Sequence, residues 1–131
     1  MAARVAVAAV AVAALAWLGV LERDVRLQAR GVRAAQQLAV PGNAARAEAA
    51  FRDARLLNPD TTPDVLRAYL YQGRGQPARA AALISGVVRR EPDNLAAWAV
   101  LYNLTRASDP PTAQRALSAR ARLDPLAAQR R

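Results

Sequence analysis

Proline recurs at a fixed interval of 33 residues, at Pro59, Pro92 and Pro125, in the contexts Asn-Pro-Asp, Glu-Pro-Asp and Asp-Pro-Leu. A period of this length marks a stacked array, in which each unit is one supersecondary element that buries its apolar face only against its neighbours. Other columns share the interval. Twelve residues before each proline stands alanine, at Ala47, Ala80 and Ala113, and eight before stands a bulky apolar residue, at Phe51, Ile84 and Leu117. Seventeen before lies a turn former, at Gly42, Gly75 and Ser108, and twenty-one before lie Leu38, Tyr71 and Leu104. Val32, Val65 and Trp98 make one more apolar column.

Each unit therefore reads as helix A, a turn at the glycine or serine, helix B, and a proline that stops helix B. Two antiparallel helices joined by a short loop approach closely only where a side chain is small, and the bulky residue one turn later fills the space beside it. Helix B of the middle unit is predicted over residues 77–90, with Ala80, Leu83, Ile84, Val87 and Val88 on one face. Asn43, Thr62, Asn94 and Asp109 are the expected helix-start residues, because their side-chain oxygens can accept from free amides of the first turn. The fold class that follows is all-α, with about three antiparallel helix-pair units at residues 28–60, 61–93 and 94–126.

The N-terminus is of another kind. From Val5 to Leu21 run 17 residues without a charge or strongly polar group, bounded by Arg4 and by the cluster Glu22, Arg23, Asp24, Arg26. At 1.5 Å per residue such a helix spans roughly 25 Å, a little under a hydrocarbon core of about 30 Å. Arg4 can snorkel at one end and Trp17 can sit in the interface near the other, so residues 1–21 are expected to form a transmembrane or signal-anchor helix. Two other readings stay open: a cleaved signal peptide using Ala14-Leu15-Ala16, and an apolar helix buried in the array. No proline interrupts Glu22 to Val40, so the anchor is expected to continue into the first helix A and stop at Pro41 and Gly42. Arg23, Arg26, Arg30 and Arg33 favour a cytoplasmic C-terminus, whereas the very short N-terminal tail has the usual shape of an N-in signal anchor.

Composition narrows the chemistry. Histidine and cysteine are both absent, which removes the usual zinc ligands, the commonest neutral-pH base and the Cys/His and Ser/His/Asp nucleophile arrangements. The ten carboxylates form no acid/base pair by spacing, and no glycine-rich phosphate loop is present. No catalytic residue, metal site or cofactor is expected, and the protein reads as a non-enzyme. All 19 basic residues are arginine, as in a protein from a GC-rich genome, and the net charge is +9. That charge would suit an acidic partner, anionic lipid or nucleic acid. Arg89, Arg90, Arg115, Arg120 and Arg122 lack interleaved aromatics, so nucleic acid is the weaker match.

The middle unit, with Ala68, Tyr71, Gly75, Ala80, Ile84 and Pro92 in order, resembles the tetratricopeptide repeat family, and the resemblance covers roughly residues 28–126. It departs from the family in a period one residue short of about 34, in Trp98 falling one place late, and in Arg120 where a small residue is usual. The resemblance implies an α-solenoid whose helix A faces line a peptide groove. The corresponding positions are Gln36, Tyr69 and Tyr102 in one column, with Val65, Gln72, Trp98, Thr105 and Arg106 nearby. Val32 and Gln36 stand where the family's carboxylate clamp begins, which speaks against a chaperone-tail receptor. The expected function is a membrane-anchored scaffold for protein–protein interaction at the bacterial cell envelope, with a protein or peptide partner of some acidic character. The alternatives are a basic nucleic-acid or anionic-lipid binding protein and a small accessory subunit of an envelope polysaccharide enzyme. Six residues after Pro125 are too few to cover the last helix pair around Trp98, Leu101 and Leu117, so self-association through the C-terminal end is a further expectation.

Overall fold

A computed structural model describes residues 2–56 and 60–126, with side chains described for Val7 and from Ala9 onward. Pro59, Arg130 and Arg131, and the side chains of Arg4 and Val5, lie outside the described residues. The described chain is all-helical, and its order is α1 (Ala2–Gln36), α2 (Asn43–Arg55), α3 (Thr62–Gly73), α4 (Pro77–Arg90), α5 (Leu95–Thr105) and α6 (Pro110–Leu123). It divides into two compact units, residues 1–60 and 61–131.

In the first unit α1 packs on α2. Phe51 and Ala47, one turn apart, are buried together with Ala54, and they make the α2 side of the contact. On α1 the complementary feature is Gly31, which faces the Phe51 ring directly. The α-helix ends at Gln36, earlier than the sequence suggests, and successive turns carry the chain to α2: Gln37 N donates to Ala34 O, Val40 N to Gln37 O, and Asn43 N to Val40 O. The cause is Pro41, whose ring would strike the Gln37 carbonyl four residues back if the helix continued. That carbonyl instead accepts from Asn43 Nδ2 at 3.0 Å. Gly42 closes the turn at φ 83°, a left-handed conformation that suits a residue without Cβ.

In the second unit α3 packs on α4, α4 on α5, and α5 on α6, while α3 also touches α5. This is the contact pattern of two consecutive helix pairs. One cluster joins Ala68 and Tyr71 of α3, Ala80, Ile84, Val87 and Val88 of α4, Ala97, Val100, Leu101 and Leu104 of α5, and Ala116 of α6. Helix α4 has the bounds read from the sequence, and its buried residues repeat at the 3.6-residue period. Burying Ile84 and Val87 completely is worth roughly 1.5–3 kcal/mol each.

The start signals divide. Asn94 Oδ1 accepts from Ala97 N at 2.9 Å and Asp109 Oδ1 from Thr112 N at 3.1 Å, the expected caps. Asn43 and Thr62 are instead the first residues of their helices, preceded by Gly42 and Thr61, neither of which makes a side-chain cap. Gly75 turns at φ 69°. The third turn manages without a left-handed residue, because Ser108 N and Asp109 N both donate to Thr105 O, at 3.1 and 2.8 Å.

Helix α1 is the largest departure from a packed helix. Val7, Val10, Val12, Leu15, Trp17, Leu18 and Leu21 are all exposed, Leu15 to 68 %. Among the described residues, no helix is long and apolar enough to cross a membrane.

Candidate partner-binding face

Helix A of each pair in the second unit carries the candidate positions, because its other side is committed to the core. On α3, Ala68 and Tyr71 point into the cluster, which leaves Val65 half-buried and Tyr69 and Gln72 exposed. On α5, Leu101 and Leu104 point inward, which leaves Trp98 and Tyr102 half-buried and Arg106 exposed just past the helix end. Val65, Trp98 and Tyr102 pack against the same cluster. Three of the candidates thus lie against the core cluster, while Tyr69 and Gln72 are exposed on α3 and Arg106 is exposed just past α5.

Tyr69 and Tyr102 occupy equivalent places one period apart, yet Tyr69 is 52 % exposed and Tyr102 is half-buried. Part of the cause is α6: the Arg120 guanidinium lies 5.8 Å from the Tyr102 ring centroid, in cation–π range. The place of Arg120 one period earlier is held by Val87, which is buried and offers Tyr69 no such partner. Trp98 has its donor engaged, since its indole Nε1 donates to Pro92 O at 2.7 Å. It offers a ring face and no hydrogen bond.

Thr105 is not part of this surface. It is buried, and its hydroxyl donates to Leu101 O at 2.7 Å within its own helix. Gln36, the last residue of α1, is exposed in the first unit.

The charges around the face are mostly tied down. Asp64 is buried and accepts from Arg90 Nη2 at 2.9 Å, with Arg67 Nη1 at 3.5 Å. Tyr71 has guanidinium groups near its ring, Arg79 at 4.6 Å and Arg67 at 5.9 Å from the centroid. Sequence reasoning assigned Tyr71 to packing and missed this cation–π role, although arginines four residues before and eight after it could have signalled it. Hydrogen bonds from the Thr112 hydroxyl and amide hold Asp109 below its ordinary carboxylate pKa.

On its far side Trp98 borders an open depression with Pro111, Gln114, Arg115, Ser118 and Arg122. Leu101 is 2 % exposed, within the core cluster, and Leu117 is half-buried. Among the described residues no three His, Cys, Asp or Glu side chains gather as a metal site. The groups exposed on this face are the Tyr69 ring, the Gln72 side-chain amide and the Arg106 guanidinium. Comparison with protein-family models, with curated proteins and with solved structures finds no match in any of the three.

Proposed function

We propose that the protein is a membrane-anchored scaffold of tetratricopeptide-like helix pairs that holds a protein or peptide partner at the bacterial cytoplasmic membrane, and that it catalyses no reaction. The observation that carries this reading is the contrast along the chain. Leu15, Leu18 and Leu21 of α1 are exposed apolar residues, while the helix pairs downstream close a core and leave Tyr69, Gln72 and Arg106 outward. An apolar helix segment with no protein partner is stable in hydrocarbon and costly in water. The run from Val5 to Leu21 is the proposed span, with Trp17 and Arg4 near its two interfaces.

The α3–α5 face supports peptide recognition because aromatic rings add contact area at little conformational cost, while Gln72 and Arg106 give hydrogen bonds and a preference for acidic character. Anchoring raises the effective concentration of the bound partner beside the bilayer. The test has two arms. The full-length protein should stay with membranes through carbonate and high salt. Partners co-purified in mild detergent should be lost from a Tyr69→Ala/Tyr102→Ala variant that keeps its helical content. Release by carbonate refutes the anchor, and an unchanged partner set refutes the face.

A further inference from the structure

Directly after the apolar run, α1 carries Arg23, Arg26, Arg30 and Arg33, all exposed. Helical residues advance by about 100°, so these four positions fall within an arc of about 80°. The other side of the same stretch is occupied: Asp24 and Gly31 are buried, and Gln28, Val32 and Ala35 are half-buried. The arginines therefore form one outward row on the side of α1 turned away from its packed face. Two of the four have a local carboxylate, and Arg30 and Arg33 have none. Glu22 pairs with Arg26 on the exposed surface, and Asp24 is buried with Arg23 Nη1 at 3.8 Å. Arg33 Nε donates only to Ala29 O, at 3.3 Å.

We propose that this row binds the phosphate-bearing headgroups of anionic phospholipids, so that the anchor selects an anionic leaflet and fixes the rotation of α1 about its axis. The proposal rests on residues 5–21 being the membrane anchor. Continuity of the row with exposed Leu15, Leu18 and Leu21 names the occupant, because a bilayer is the one surface that takes apolar residues and guanidinium groups in succession along a helix. A nucleic acid would meet the charge and leave those leucines in water. At 1.5 Å per residue, Arg23 and Arg26 stand roughly 3 and 8 Å beyond Leu21, within the headgroup layer, while Arg30 and Arg33 stand roughly 14 and 18 Å out, past a Debye length of about 8–10 Å. The first two arginines carry most of the binding. Guanidinium groups suit it because they give bidentate hydrogen bonds to phosphate oxygens.

The experiment uses the full chain reconstituted in phosphatidylcholine vesicles, with Trp17 as reporter and a Trp17→Phe variant giving the Trp98 background. Quenching by brominated phosphatidylglycerol is compared with quenching by brominated phosphatidylcholine. An arginine held near an anionic surface is worth about a fivefold gain, so the anionic lipid should be favoured at least about fivefold at low salt. Arg23→Gln/Arg26→Gln should bring the ratio close to one, and Arg30→Gln/Arg33→Gln should lower it less. Equal quenching by the two lipids in the native chain overturns the proposal while leaving the anchor standing. No quenching by either lipid refutes the anchor itself. A short oligonucleotide that abolishes the lipid preference at stoichiometric amounts overturns the proposal in favour of nucleic acid.

Discussion

Gly31→Ala puts a methyl group where the structure has no room for one. A Cβ built on Gly31 would lie 2.4, 2.7 and 2.9 Å from Cε1, Cδ1 and Cζ of Phe51, against ordinary contact beginning near 3.4 Å. The ring must retreat by about 1 Å, and it is 1 % exposed between the buried Ala47 and Ala54. Overpacking of this kind costs about 1–3 kcal/mol. Opposing it is the gain from replacing glycine inside a helix, about 1 kcal/mol. With three ring atoms inside 3.0 Å, overpacking wins, and the net loss should be about 1–2 kcal/mol. Gly86→Ala is the matched control: its nearest neighbours are the mobile tips of Arg90 and Arg89, at 3.6 and 3.8 Å. There only the helix term remains, and a gain of about 0.5–1 kcal/mol is expected. Hydrogen exchange of the full chain reads the two units separately, through the α2 amides for Gly31 and the α4 amides for Gly86. Protection of α2 should fall in Gly31→Ala and recover when Phe51→Leu is added, since a smaller side chain admits the methyl. A rise in α2 protection on Gly31→Ala alone would refute the close approach.

Three further outcomes follow from the second unit. Ala80 is completely buried, so Ala80→Leu should lower stability by about 1–3 kcal/mol, read as reduced α4 protection; unchanged protection would mean that the site has spare room. Asn94 caps α5 and donates to Thr61 Oγ1 and Glu91 Oε2 at 3.0 and 2.8 Å, so Asn94→Ala should cost about 1–2 kcal/mol, and Asn94→Ser should recover the part due to the cap. Asp109 has a folded pKa lowered from 3.8 by the Thr112 hydrogen bonds. Its contribution is therefore fully present above that value and is lost as pH falls through the lowered folded value. The stability difference between native protein and Asp109→Ala should shrink on acidification below 3.8, and a difference that grows instead would show the sign to be wrong.

The architecture of helix pairs was legible where one residue type has one mechanical use. Alanine at 47, 80 and 113 is buried in every case, because any larger side chain would hold the paired helices apart. Glycine at 42 and 75 is left-handed in both cases. Less legible were interactions between residues distant in sequence. The approach of Gly31 to Phe51 depends on the axial offset of α1 against α2, which periodicity does not fix. The early end of α1 depends on a carbonyl four residues before Pro41, where no local signal stands. The side-chain amide of Asn43 reads as a cap, and it serves the Gln37 carbonyl instead. For the face, Tyr69, Gln72 and Arg106 are outward because inward positions on the same helices are apolar. Thr105 carries a hydroxyl in the sequence and hides it in its own helix, by the bond to the carbonyl four residues back that threonine can make in a helix.

Polar atoms, more than apolar ones, set how the two helix pairs of residues 61–126 meet. Thr61 and Asn94 hold the same place in consecutive units, and they are bonded to each other: Asn94 Nδ2 donates to Thr61 Oγ1 at 3.0 Å, while Thr61 Oγ1 donates to Glu91 Oε2 at 2.9 Å. Glu91 also accepts from Asn94 Nδ2 at 2.8 Å. Beside them Asp64 holds Arg90 across the α3–α4 contact. The apolar seam of Ala97, Val100, Leu101 and Leu104 would tolerate sliding by part of a turn, because similar side chains would meet similar ones. The polar cluster would not tolerate it. Displacing α5 would take the Asn94 side-chain amide away from both Thr61 Oγ1 and Glu91 Oε2, at about 0.5–3 kcal/mol for each hydrogen bond lost, the larger value where the carboxylate accepts. The start of α5 is thereby tied to the start of α3, and the separation of Tyr69 from Tyr102 is held by atoms at the N-terminal ends of their helices.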